Sequence, residues 1–139
     1  MKEFITWNQF DDAVDKMVEH YKDMNEDCVS IYGPPRGGLM FAVALSHRLN
    51  LPMITSLIDR NIEGKVLIVD DIADTGGTLE RTLYSKDNYV VYTMHYHQQS
   101  TVKPDFWVED KQDKWIVYPW EKEDSNMIQD YLVGDNINA

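Results

Sequence analysis

The sequence has 139 residues, 43% hydrophobic and 27% charged, a balance that fits one buried core, residues 1–139 as a single domain, and excludes a disordered or repetitive chain. A net charge of −11 excludes general binding to nucleic acid or to an anionic membrane, since both need a basic surface; any anionic ligand has to be held by local features. No apolar stretch approaches membrane-spanning length, Met1-Lys2-Glu3-Phe4 carries no leader pattern, and the single Cys28 permits no internal disulfide, so a cytoplasmic protein with a buried thiol is expected.

After Thr6, a candidate N-cap, the residues Phe10, Ala13, Val14, Met17, Val18 and Tyr21 recur at spacings of three and four and predict an amphipathic helix. Cys28 to Tyr32 reads as a short buried strand broken by Gly33-Pro34-Pro35. Gly38 to Leu49 is again helical in pattern and ends near Asn50. Met53 to Ile58 and Val66 to Val69 are the next strands, and Thr78 to Ser85 predicts a helix. Tyr89 to His95 predicts a strand, with short closing strands at Phe106 to Val108 and Trp115 to Val117. The acidic tail, Glu121 to Ala139, reads as a short helix around Met127, Ile128, Tyr131, Leu132 and Val133. Strands alternating with helices define an α/β fold with a mainly parallel sheet flanked by helices. Ligands of such sheets sit at the carboxyl ends of strands, which directs attention to the loops after Tyr32 and after Val69.

The second loop belongs to the stretch "VLIVDDIADTGGTLE". Apolar Val66 to Val69 predicts a strand buried on both faces, from whose end Asp70 and Asp71 emerge. A carboxylate accepts two hydrogen bonds from a vicinal diol, and its neighbour serves a hard cation, usually through water. Asp74, Thr75, Gly76, Gly77 and Thr78 then supply hydroxyls and closely spaced backbone N–H groups at the opening of a helix, a cradle for a phosphate. Sugar hydroxyls and a metal for the acids, and a monophosphate for the glycine turn, account for the stretch.

Four apolar residues, two acids and Asp-Thr-Gly-Gly-Thr resemble the phosphoribosyl pyrophosphate (PRPP) motif of the type I phosphoribosyltransferases. "GPPRGGLMFAVALSHRL" resembles that family's pyrophosphate loop and following helix, and "KPDFWVEDKQDKWIVYPWE" its base-binding region in the xanthine–guanine, or 6-oxopurine, branch. The resemblance implies a type I phosphoribosyltransferase-like fold with a small C-terminal hood at about residues 97–121. It implies Mg²⁺-dependent transfer of a 5-phosphoribosyl group from PRPP to a nucleobase, a 6-oxopurine, releasing pyrophosphate, in purine salvage. Pro35, Arg36 and Gly37 would hold pyrophosphate, Pro35-Arg36 standing where the family often has a cis peptide. Asp74 through Thr78 (Asp74, Thr75, Gly76, Gly77, Thr78) would hold the 5′-phosphate, and Asp70 and Asp71 the ribose hydroxyls and Mg²⁺. Asp74 would also be the general base, Trp115 the stacking platform and Ile116 a backbone reader of the base, with Pro119 and Trp120 packing. Family members commonly form homodimers or higher homo-oligomers.

Two departures bear on the substrate and on turnover. His97 stands where 6-oxopurine enzymes place a lysine against the exocyclic oxygen. Only about eight residues, Ile58 to Lys65, occupy the place of the family's long mobile loop, too few for an extended lid. Shielding would then come from another subunit or from the carboxyl-terminal segment. The alternatives are a non-catalytic PRPP- or nucleotide-binding regulator on the same fold, and, more remotely, an isoprenoid synthase read from "DDIAD". The β-like run before Asp70 and the glycines after it oppose the all-helical context of the latter.

Overall fold

The computed structural model describes residues 2–57, 64–74, 76, 77, 79 and 88–122. The predicted helix after Thr6, the tail helix and the 58–65 connection fare differently. The first forms as α1 (Trp7–Asp23), whereas the tail beyond Lys122, the helix expected from Thr78 and most of that connection lie outside the described residues. α1 follows a short strand, β1 (Lys2–Phe4). Its start is fixed by a capping box: Gln9 N–H donates to the Thr6 hydroxyl at 3.1 Å, and Thr6 N–H donates to the Gln9 side-chain carbonyl at 2.8 Å. Phe10, Ala13, Val14, Met17 and Tyr21 form its buried stripe, as their spacing predicts.

Next come β2 (Ser30–Tyr32) and α2 (Gly37–Leu49), which ends where Asn50 takes the left-handed conformation, φ 54°. Cys28 is buried but precedes the strand; desolvation first, then the Glu26 charge, pushes its thiol up to about 11, the state of an inert core group. The strand expected at Met53 to Ile58 is not formed among its described residues. Met53 makes a single parallel bridge to Ile31. Pro52 has no N–H to continue a ladder, and its carbonyl accepts from Ile31 N–H at 3.0 Å.

β3 (Val66–Ala73), β4 (Tyr89–Tyr96) and β5 (Phe106–Asp110) complete an all-parallel sheet of order β2-β3-β4-β5. Both faces of the sheet are covered. Leu67, Val69, Val90, Tyr92 and Met94 pack with α1 and α2 in the larger core, while Val66, Ile68 and Val91 join Tyr32, Ala73 and Leu79 in a smaller one on the opposite side. That two-sided burial explains the uninterrupted apolar run at Val66 to Val69.

The last strand, β6 (Trp115–Val117), leaves this sheet and pairs in parallel with β1, Lys2 opposite Trp115 and Phe4 opposite Val117. The small second sheet therefore takes one strand from each end of the described chain, and the hood expected from residues 97–121 alone includes residues 2–4 as well. Among the described residues no helix is long and apolar enough to cross a membrane.

Candidate active site

β2 ends at Tyr32, opposite Ile68, so β3 overhangs it by the residues that carry the acids. Asp70 and Asp71 do not emerge from a finished strand, as their place after an apolar run suggests; they are part of it. β4 keeps pairing with β3 from Asp70 (opposite Thr93) to Ala73 (opposite Tyr96), which holds the acids in extended backbone. Asp70 is 6% exposed, and its Oδ1 accepts from Asp71 N–H at 2.9 Å. Asp71 Oδ1 accepts from Ile72 N–H at 2.8 Å.

The free side of this overhang faces the loop after β2. There the Pro35–Arg36 peptide is cis, and Arg36 takes the N-cap position of α2. The loop comes so close that a Cβ on Gly37 would overlap the Asp71 carboxylate, and one on Gly38 would lie 2.7 Å from the Val69 carbonyl oxygen and 3.1 Å from Asp70 Oδ1. Glycines are required at both positions by this approach of backbone to carboxylates. Pro35, Arg36 and Gly37 are thus adjacent to Asp70 and Asp71 in space, at the amino end of α2 where backbone N–H groups are unpaired by the helix. Desolvation by burial dominates at Asp71, with the Glu121 charge acting in the same direction and hydrogen bonds opposing; its carboxyl is pushed up to about 6.

Beyond β3, Asp74 is the hub of a polar cluster. Its Oδ1 lies 3.0 Å from His97 Nδ1 and accepts from the Gln99 amide at 3.3 Å, while Oδ2 accepts from Lys111 Nζ at 2.9 Å. Burial alone would raise the Asp74 carboxyl; the hydrogen bond and charge of Lys111, then those of His97, outweigh it and hold the group below its ordinary value. Two of these partners come from the nine-residue connection between β4 and β5, which turns through Ser100 N–H donating to the His97 carbonyl at 2.9 Å. The same connection closes on Gly76, whose φ of +88° excludes an ordinary residue and whose Cβ would overlap Thr101. Gly77 follows directly, whereas Thr75 and Thr78 lie outside the described residues.

Trp115 is 45% exposed on β6, and Ile116 is partly buried against the larger core. Trp120 packs, as expected, stacked on Tyr118 at 5.3 Å and edge-on to Phe10 and Phe41. Lys111 escaped the sequence reading, because it stands 37 positions from Asp74 and only the parallel placing of β4 and β5 joins them. Tyr118 escaped it too: its hydroxyl donates to the Asp71 carbonyl at 3.1 Å.

The parallel sheet thus gathers a glycine loop, a pair of acids and a glycine turn at the carboxyl ends of β2 and β3, the end at which ligands of such sheets sit. No family model matches the chain. It is similar to the purine phosphoribosyltransferase of Pyrococcus horikoshii, with 28% identity and a TM-score of 0.78 over 91% of this chain and 99% of that one. It is 27% identical over 116 residues to a xanthine-guanine phosphoribosyltransferase of Cereibacter sphaeroides, covering 66% of this chain and 68% of that one. An orotate phosphoribosyltransferase of Sulfurisphaera tokodaii is 30% identical over 86 residues, which span 53% of this chain and only 43% of the relative. The chain has the fold of the type I phosphoribosyltransferases and is similar in sequence to xanthine-guanine members of that family.

Proposed function

We propose that the protein transfers the 5-phosphoribosyl group of PRPP to a 6-oxopurine, releasing pyrophosphate, in purine salvage. The observation that carries this reading is the contact of Gly37 with Asp71, which brings the loop after β2 and the acids of β3 into one site. Breaking the bond between C1 of ribose and pyrophosphate builds positive charge on the sugar and negative charge on the leaving group, so the protein acts by position and electrostatics. Arg36 and the N–H groups at the start of α2 would hold the pyrophosphate oxygens; Asp70 and Asp71 would fix the ribose hydroxyls and favour the cationic ring. Gly76 and Gly77, with Thr75 and Thr78, would cradle the 5′-phosphate.

The residues fit Mg²⁺. A carboxylate desolvated as Asp71 is, beside a second acid, gains by a divalent cation, and Asp70 and Asp71 would hold it through water or the ribose hydroxyls. When bound, the ion neutralises the leaving pyrophosphate.

Asp74 would accept the proton from the imidazole edge of the purine, and the Lys111 contact keeps it ionised for that role. Lys111 and His97 beside it are both able to donate to a ring carbonyl at C6 of the kind a 6-oxopurine carries. Lys111 would thereby supply the cationic contact that His97 alone, as a neutral imidazole, does not. Trp115 would stack on the base and the Ile116 backbone would read its edge, with a homodimer or larger homo-oligomer shielding the centre.

The test is pyrophosphate release from PRPP and Mg²⁺ with guanine, xanthine, hypoxanthine, adenine, uracil and orotate in turn. Turnover with a 6-oxopurine, lost in Asp74→Asn, supports the proposal. PRPP or nucleotide binding with no turnover on any base refutes it in favour of a regulatory binding protein.

A further inference from the structure

His95 lies on β4 directly opposite Glu109 of β5. Its side chain is 1% exposed, and its Nδ1 is 2.9 Å from the Tyr118 hydroxyl. That hydroxyl has one proton, and it is given to the Asp71 carbonyl at 3.1 Å, a group that only accepts. The Tyr118 oxygen must therefore accept from His95, which puts the imidazole proton on Nδ1 and leaves a lone pair on Nε2.

Among the described residues this buried Nε2 has no hydrogen-bond partner. It faces Glu109 Oε2 at 3.4 Å. Two electron-rich atoms so placed, one of them buried, repel unless a cation lies between them. A divalent metal ion suits that place, because the two carboxylates of Glu3 and Glu109 cancel its double charge and the neutral imidazole offers it a lone pair.

We propose that His95 Nε2 and the carboxylates of Glu3 and Glu109 bind a divalent first-row transition-metal ion, of the zinc kind, apart from the acids proposed for PRPP but in a cavity that Lys111 and Ile116 of the proposed base site also line. The ligand atoms of the three residues all lie within 4.8 Å of one another. The 3.4 Å between Nε2 and Oε2 matches the edge, about 3.3–3.4 Å, of a tetrahedron of ligands about 2.0–2.1 Å from zinc. A cavity of about 380 Å³ opens in front of them and leaves room for water as a further ligand. The hydrogen bond from Nδ1 to Tyr118 is the kind of outer contact that fixes the ring of a metal-bound histidine. Asp110, Lys111 and Lys114 also line the cavity; the Lys111 ammonium is turned toward Asp74 at 2.9 Å. Mixed nitrogen and oxygen ligands select zinc and its neighbours over Mg²⁺. The ion would join β1 to β4 and β5, tying the two sheets together.

The experiment is titration of the full chain, freed of metal by a chelator and without PRPP or Mg²⁺, with Zn²⁺ by calorimetry and with Co²⁺ by visible absorption. One equivalent should bind, with the intense Co²⁺ bands of a four-coordinate site and a rise in melting temperature. Glu3→Gln and Glu109→Gln, whose side chains reach solvent and whose folding is checked by circular dichroism, should each weaken binding by at least about tenfold. Asp71→Asn and the exposed His47→Ala should leave it unchanged. Absence of a saturable equivalent, binding that survives both glutamate substitutions, or binding lost with His47→Ala would overturn the proposal.

Discussion

Asp71→Asn should stabilise the ligand-free protein while removing its proposed activity. The wild-type carboxyl is held at about 6 against an ordinary 3.8. At about 1.36 kcal/mol per pH unit, that gap is worth up to about 3 kcal/mol, and solvent reaching the partly exposed side chain reduces it to about 1–2 kcal/mol. Below about pH 3.8 the group is protonated in both folded and unfolded chains and contributes no difference. As pH rises toward 6 the unfolded chain releases the proton first, so wild-type stability falls, and above 6 the full penalty is present. Asparagine keeps the Oδ1 acceptor used by Ile72 N–H and carries no charge to desolvate. Urea unfolding of both proteins from pH 4 to pH 8 should therefore show the variant's advantage growing with pH and levelling above 6. An advantage independent of pH, or a variant less stable at pH 8, would refute the desolvation argument.

Lys111→Met should raise the Asp74 carboxyl toward its ordinary value and cost about 2 kcal/mol for a lost, partly buried charged hydrogen bond; the acid limb of the pH–rate profile moves to higher pH. Because a carboxyl held low lends stability that vanishes as pH falls through its folded value, the variant should also lose less on acidification. Gly37→Ala drives a methyl group into the Asp71 carboxylate, and calorimetry should find PRPP binding at least about tenfold weaker with the chain still folded. Thr6→Ala removes one half of the capping box and should lower stability by about 1 kcal/mol in thermal or urea unfolding, without changing PRPP affinity.

The elements most legible in the sequence were those with a local physical signal. The apolar stripe and cap of α1, the glycine-proline break after Tyr32 and the run at Val66 to Val69 each carry their own periodicity or breaker. Met53 to Ile58 misled because apolar content alone does not supply a pairing partner; only Met53 bridges to β2. β1 is three residues with no alternation worth reading, and its existence depends on β6 at the other end of the described chain. The site divided along the same line. Asp70, Asp71, Gly76 and the Pro35-Arg36-Gly37 loop are close in sequence to the elements that present them, whereas Lys111 and Tyr118 reach Asp74 and Asp71 across 37 and 47 positions. Nothing short of the sheet's strand order places them.

The little sheet of β1 and β6 is held by three residue pairs that join the first strand to one more than a hundred positions later. Such a closure completes late during synthesis, since Trp115 has to leave the ribosome before Lys2 finds its neighbour. It is also where brief opening excursions should begin. Amide deuterium uptake at residues 2–4 and 115–117 should accordingly run ahead of that in β3 and β4, and a base stacked on Trp115, as proposed, should slow both segments together.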